Sequence, residues 1–159
     1  MTSREALHSY RERTKDRAAH ERVYFFHAHI YYDGSSADEK SKMQDVMKSL
    51  HHNFDSDDHV EIHTLQDKAV GPHPEANLEV LFTRESYTLM LNYLAFALPT
   101  TFSALIHQLT ADQVGDHTTR AVWVGKQGQI KPEILKRMDQ DSAARKLSEE
   151  EIIWAVHSH

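Results

Sequence analysis

Residues 23–33 read Val23-Tyr24-Phe25-Phe26-His27-Ala28-His29-Ile30-Tyr31-Tyr32-Asp33. Aromatic and β-branched side chains dominate, and these suit a pleated surface. Asp33-Gly34 then supplies a turn signal. The stretch is expected to be a strand, and strand side chains alternate between faces. His27 and His29 therefore share one face with Phe25 and Tyr31. Tyr24, Phe26, Ala28, Ile30 and Tyr32 take the other. Two imidazoles about 7 Å apart along a strand can lean onto one metal ion. On the pair alone, two histidines on a half-solvated face are an equally good account.

Downstream, the pattern changes period. Ser35-Ser36 offers an N-cap to residues 37–54, where Ala37, Met43, Val46, Met47, Leu50 and Phe54 fall near one helical face. Residues 55–58 form a loop. His59 to Leu65 alternates as a strand, with Val60, Ile62 and Thr64 on one face and His59, Glu61 and His63 on the other. Val70-Gly71-Pro72-His73-Pro74 is a rigid turn that fixes one imidazole. Residues 77–82 are another strand. Residues 86–97 are a helix, apolar nearly all round, expected to be well buried or to pack on a second copy. Residues 101–107 form a fourth strand.

Strand, helix, strand, strand, helix, strand is the ferredoxin-like order. The expected class is α+β: a ferredoxin-like βαββαβ antiparallel sheet, its helices on one face and its first and third strands central. Alternation then puts Leu78, Val80 and Phe82 under the helices. Asn77, Glu79 and Leu81 join His27 and His29 on the opposite face, so a carboxylate stands on the histidine side. Beyond the fourth strand, Thr110 to Gly115 is expected to be a loop, and residues 121–125 a short strand. A helix should start at Pro132 and run to about Leu147. Ser148 and Glu151 form a capping box for a last short helix. Residues 2–22 are helix-prone and mostly polar, with Leu7, Tyr10 and Thr14 as a thin stripe. They are expected to be an arm lying on the surface or on a partner subunit, or disordered. The divisions expected are 1–22 as an N-terminal helical or disordered arm, 23–125 as the ferredoxin-like domain and 126–159 as a C-terminal helical extension.

Composition narrows the function classes. A chain of 159 residues fits one domain with appended segments. Its 24 acidic against 18 basic residues leave a net charge of −6, and no basic stripe is interleaved with aromatics, which disfavours a nucleic-acid partner. No segment approaches a signal peptide or a membrane span. Without cysteine there is no disulfide, thiolate site or cysteine nucleophile. The expected location is the cytoplasm, away from membranes.

Thirteen histidines are the unusual number. His8, His20, His51, His52, His157 and His159 sit among polar residues and are expected at the surface. His27, His29, His73, His107 and His117 sit in structured, non-helical settings and could converge, with Glu79, over the open sheet face. Two or three histidines, with or without a carboxylate, suit a non-haem Fe(II) centre that handles dioxygen. Zn(II) accepts the same donors.

Four motifs carry a resemblance. They are His27-Ala28-His29-Ile30-Tyr31-Tyr32-Asp33, Gly71-Pro72-His73-Pro74, Leu105-Ile106-His107 with Thr110, and Asp116-His117-Thr118 followed by Ala121, Trp123 and Gly125. In order and spacing they resemble the DOPA 4,5-dioxygenase family over residues 23–125. Gln108 and Ala111 stand where the family pattern has Pro and Gly, and Ala97-Leu98-Pro99 where it tends to have Asn-Arg. The resemblance implies metal-dependent extradiol cleavage of a catechol such as DOPA by dioxygen, in a ferredoxin-like protein that tends to form homodimers. Fe(II) is the first expected metal and Zn(II) the second.

Within that frame His29 and His107 are the expected metal ligands, followed by His27. Glu79 is either a further ligand or an exposed strand residue. His73 and His117 are the expected acid–base residues, with His27 the alternative should it serve the substrate instead. Asp116 either orients His117 or caps a turn, and Tyr31 and Trp123 either wall the substrate or pack the core. His59, Glu61 and His63 are expected to lie mostly away from the site. Two other functions fit the same histidines: a non-catalytic dimeric module binding a small ligand or metal, and a zinc-dependent hydrolase.

Overall fold

The computed structural model describes residues 2–157, and of His157 only its backbone. Strand β1 (Phe25–Tyr32) leads to helix α2 (Ala37–Phe54), strands β2 (Val60–Gln66) and β3 (Ala76–Thr83), helix α3 (Tyr87–Ala97) and strand β4 (Ser103–Gln108); helix α1 (Ser3–Arg13) precedes them. The ferredoxin-like order expected from the sequence is thus present. The sheet runs β2-β3-β1-β4-β5, every neighbouring pair antiparallel, with β5 (Val122–Val124) added at the β4 edge. β1 and β3 are central among the first four strands, as that order requires.

Local chemistry accounts for the boundaries. Ser36 caps α2 by accepting from the Glu39 amide at 3.2 Å, and Asp38 and Glu39 favour its N-terminal dipole. Met43, Val46, Leu50 and Phe54 of α2 are buried against Ala28, Ile30, Leu78, Val80 and Phe82 of the sheet. Met90 and Leu94 of α3 complete this core. Burying each such side chain contributes about 1.5–3 kcal/mol. α3 is less buried than its composition implies, because Leu89 is 57% and Phe96 90% exposed.

The opposite sheet face, expected to be open, is covered. Leu7 of α1 and Ile153 of α6 (Glu149–His157) pack with Tyr24, Phe25, Leu81 and Leu109 in a second apolar cluster. Arg11 of α1 pairs with Glu149 and Glu150 of α6. The capping box at Ser148 and Glu151 forms as expected. Helix α5 (Pro132–Ala144) precedes α6. Both terminal extensions thus fold onto the chain itself, because the polar helices still carry enough apolar spacing to cover one sheet face.

Two local expectations fail. The presumed loop before His117 is a short helix, α4 (Gln113–His117), capped by Asp112, which accepts from the Gly115 amide at 3.0 Å. Strand β2 does not alternate strictly: Ile62 pairs with Val80 but Leu65 with Leu78, so one extra residue is inserted. The bulge turns Thr64 from the helix-covered face and places Leu65 there instead. Of the histidines expected at the surface, His8, His20, His51 and His52 are exposed; the side chain of His157 and the whole of His159 lie outside the described residues.

Candidate metal centre

Strand pairing assembles the cluster. His27 stands opposite His107 on β4, and His29 opposite Glu79 on β3. His73 arrives from the turn after β2. Gly71 adopts φ +59 there, and Lys131 donates its amide to the Pro72 carbonyl at 2.9 Å, pinning the turn to the segment before α5. His117 arrives on the last turn of α4. The five imidazoles are between 1% and 8% exposed. Ring centroids of His29 and His73 lie 3.8 Å apart, as do those of His107 and His117. Ring nitrogens of His27, His29 and His107 fall within 4.8 Å of one another, as do those of His29, His73 and His117.

Burial holds His29 and His107 well below the ordinary histidine range, with charge on neighbouring imidazoles adding to it. Burial likewise lowers His73 to about 3 and depresses His117. These rings are neutral at pH 7, so each carries one N–H and one lone pair.

Their partners decide which nitrogen is which. His107 Nδ1 lies 2.7 Å from the Gln108 carbonyl and His117 Nδ1 2.9 Å from the Gln113 carbonyl, and both nitrogens must donate. Asn77 Nδ2 donates to the Glu75 carbonyl at 3.2 Å, which turns Asn77 Oδ1 toward His29 Nδ1, 3.1 Å away. His29 Nδ1 is therefore a donor too. The Nε2 atoms of His29 and His107 are left as lone pairs facing each other at 3.2 Å. Two lone pairs cannot bond to each other, and a cation between them resolves the conflict. Nitrogens each about 2.1 Å from one ion stand about 3.0–3.4 Å apart at coordination angles near 90–110°. The donor set fits a metal that takes imidazole. Each ring is oriented by a hydrogen bond behind it, the arrangement metal-binding histidines use.

His73 differs. Its Nδ1 lies 2.7 Å from the Tyr31 hydroxyl. Burial raises the Tyr31 pKa strongly, so the phenol keeps its proton and is available as a donor to His73 Nδ1. With the phenol as donor, His73 carries its own proton on Nε2. Tyr31 also stacks on Trp123 at 5.8 Å, which holds the phenol in place.

The carboxylate expected on this face is present. Glu79 Oε1 lies 2.9 Å from His63 Nδ1 and 3.6 Å from His27 Nε2. Burial raises the Glu79 pKa, but the His63 hydrogen bond leads the interactions with neighbouring histidines that outweigh it, and the carboxyl titrates below its ordinary value. His63 bridges Glu79 and Glu61 and is pushed above its usual value, chiefly by the Glu79 hydrogen bond. The Asp116 carboxylate is directed elsewhere than to His117: it accepts from Arg120 at 2.7 Å and from the Thr110 amide and hydroxyl at 2.8 and 2.9 Å.

A cavity of about 320 Å³ opens beside the cluster. His27, His29, His73, His117 and Glu79 line one side, and Leu135 and Met138 of α5 and Val156 of α6 another. That volume is at the small end of ligand sites and suits a single ring. His63, Gln113 and the α5–α6 side chains also border it, and sequence pattern did not assign them there. Alternation already turned His63 to this face, and the bulge brings in Thr64 beside it; no spacing signal marks Gln113.

Comparison with known proteins follows the same line. Residues 26–134 match the model of the Dopa 4,5-dioxygenase family. A protein of Botryotinia fuckeliana, described only as an uncharacterized 21.2 kDa protein, is 30% identical over 127 residues, covering 75% of this chain and 67% of that one. A crystal structure of a "putative dioxygenase" from Nostoc punctiforme superposes with a TM-score of 0.63 at 26% identity, covering 73% of this chain and 94% of that one.

Proposed function

The chain belongs to the Dopa 4,5-dioxygenase family, and from that premise we propose that it opens the ring of a catechol with dioxygen at the carbon–carbon bond beside the diol. The observation that carries this reading is the facing pair of His29 and His107 Nε2 atoms, 3.2 Å apart and buried next to a ring-sized cavity. His29, His107 and His27 hold the metal, Fe(II) in the first instance and Zn(II) as the alternative occupant. We assign the His73 proton to Nε2, with Tyr31 as the donor at Nδ1, and this sets the ring apart from the ligands. When bound, Fe(II) supplies a centre at which catecholate and dioxygen exchange charge.

The protein's own groups manage protons and water. His117, with a lone pair on Nε2, takes a proton from the catechol hydroxyl. His73, with its proton on Nε2 and Tyr31 behind it, donates to the oxygen released as the O–O bond breaks, and that oxygen then adds back at the acyl carbon as the ring opens. Glu79, anchored by His63, holds negative charge beside His27. Leu135, Met138 and Val156 exclude water from the opposite side. Both oxygen atoms enter the product, one at each carbon of the broken bond. The product is a muconic semialdehyde, and no external reductant is drawn on.

We assign residues 23–125 as the ring-cleaving domain, which the described parts of the two extensions, residues 2–22 and 126–157, close. The exposed Leu89 and Phe96 of α3 support a homodimer through that helix. Among the described residues no helix is long and apolar enough to cross a membrane. The deciding experiment loads the protein anaerobically with Fe(II), adds a series of catechols and then air. Oxygen uptake with a yellow product is expected. No uptake and no change in catechol absorbance across the series would falsify the reading.

A further inference from the structure

Helix α4 is five residues long, and its last residue is His117, the proton acceptor of the proposed reaction. So short a helix does not persist on its own hydrogen bonds. Acceptors outside its backbone hold its first turn. Asp112 accepts from the Gly115 amide at 3.0 Å. The two preceding amides belong to Asp139 of α5: its Oδ1 accepts from Gln113 at 3.1 Å and its Oδ2 from Val114 at 3.3 Å. Leu135, one turn earlier on α5, is buried at the cavity and seats that helix.

One of the two Asp139 contacts leads on to His117. The Val114 amide and the Gln113 carbonyl are the two ends of one planar peptide group. Its N–H donates to Asp139 Oδ2, and its C=O accepts from His117 Nδ1 at 2.9 Å. Carboxylate, peptide and imidazole thus stand in one hydrogen-bonded chain. A negative acceptor at the N–H end polarises the peptide and makes its carbonyl a stronger acceptor. That favours the tautomer with the proton on Nδ1, and this tautomer leaves the Nε2 lone pair free. The peptide stands where a catalytic triad places its carboxylate, and the carboxylate stands one group further back. Asp116, the neighbour of His117 in sequence, is taken up by Arg120 and Thr110 instead. Residues that match the family model end at 134, so Asp139 lies beyond them.

We propose that Asp139 is a positioning residue for the proton-accepting histidine: through the Gln113–Val114 peptide it holds the His117 ring in place with its proton on Nδ1. This rests on the ring-cleavage reading, in which the free Nε2 of His117 takes the catechol proton. The C-terminal extension then serves proton transfer as well as closing the cavity.

Long-range proton–nitrogen correlation by NMR on the Zn(II)-loaded protein reads the His117 tautomer without turnover. The wild-type ring should carry its proton on Nδ1, and Asp139→Ala should give a mixture of tautomers. Unchanged His117 signals in folded Asp139→Ala overturn the proposal. Arg11→Ala loosens the same extension at α6 and should leave the His117 signals as in the wild type. The same mixture in Arg11→Ala would mean that any loosening moves the ring, and would remove Asp139 from its special place. Oxygen uptake by the Fe(II)-loaded protein with 4-methylcatechol is the second measurement. Asp139→Ala should lower kcat by about 10–100-fold with KM within about twofold. A rise in KM with kcat unchanged overturns the proposal too. Asp139→Asn keeps the size of the side chain but turns one acceptor into a donor, and it makes both measurements if Asp139→Ala does not fold. Should the wild type turn over no catechol, the ring-cleavage reading fails by itself, and the tautomer still decides whether Asp139 places His117.

Discussion

His29 and His107 point their Nε2 atoms at each other across 3.2 Å, while each ring is held from behind at Nδ1, by Asn77 and by the Gln108 carbonyl. The backing groups are what turn two packed histidines into a chelating pair. Asn77→Leu removes one of them and frees the His29 ring to rotate or change tautomer. Its affinity for Fe(II) or Zn(II) should fall by about 10–100-fold, read by competition with a chromophoric chelator. An unchanged affinity would mean that the Asn77 contact does not orient a ligand.

Neighbouring residues on β1 face opposite ways and should fail differently. His29→Ala is expected to abolish metal uptake while the far-ultraviolet circular dichroism stays that of the folded protein. Ile30→Ala truncates a side chain with no exposed surface in the helix-covered core, and should cost about 2–5 kcal/mol in urea unfolding. It should still bind metal. Full metal content in folded His29→Ala would exclude His29 from the ligand set.

Acid should destabilise the metal-free protein early. An unfolded histidine titrates near 6.5, whereas burial holds His29, His107 and His117 below that in the folded chain and His73 at about 3. Between those values the unfolded state binds more protons. The stability is therefore complete above about pH 6.5 and is lost as pH falls, by up to about 1.4 kcal/mol per pH unit for each group. His63 has the opposite sign: its raised pKa contributes stability that is lost as pH rises through it. Four groups outweigh one, so the urea midpoint at pH 5.5 should lie well below that at pH 7.5. Equal midpoints would show that the cluster is solvated.

Arg11 joins the two terminal helices, and its side chain is mostly buried. Arg11→Ala should loosen α6 and with it the Val156 side of the cavity. Glu149 and Glu150 are partly exposed, so the global loss is small, about 1 kcal/mol. Hydrogen exchange is the sharper measurement: amides of α6 should exchange faster while those of β1 and β3 keep their protection. Unaltered exchange in α6 would show that Ile153 alone anchors it.

Alternation along residues 25–32 determined, without any tertiary information, which side chains face the helices and that His27 and His29 share a surface. The succession of periods determined the ferredoxin-like order, and with it the central place of β1 and the position of Glu79 on the histidine side. These are local properties, fixed by the two-residue repeat of a strand and the spacing of apolar residues on a helix. Folding decided what depends on distant segments meeting. The β2 bulge added Thr64 to the cavity wall, because a one-residue insertion in pairing leaves no mark on hydropathy. Residues 113–117 became a helix through the Asp112 cap, and so brought Gln113 beside His117. The polar arms folded back over the histidine face, since a thin apolar stripe does not say which surface it will cover. Proton placement on His29, His107 and His117 was decided last, by carbonyl and amide oxygens that only the folded chain puts behind the rings.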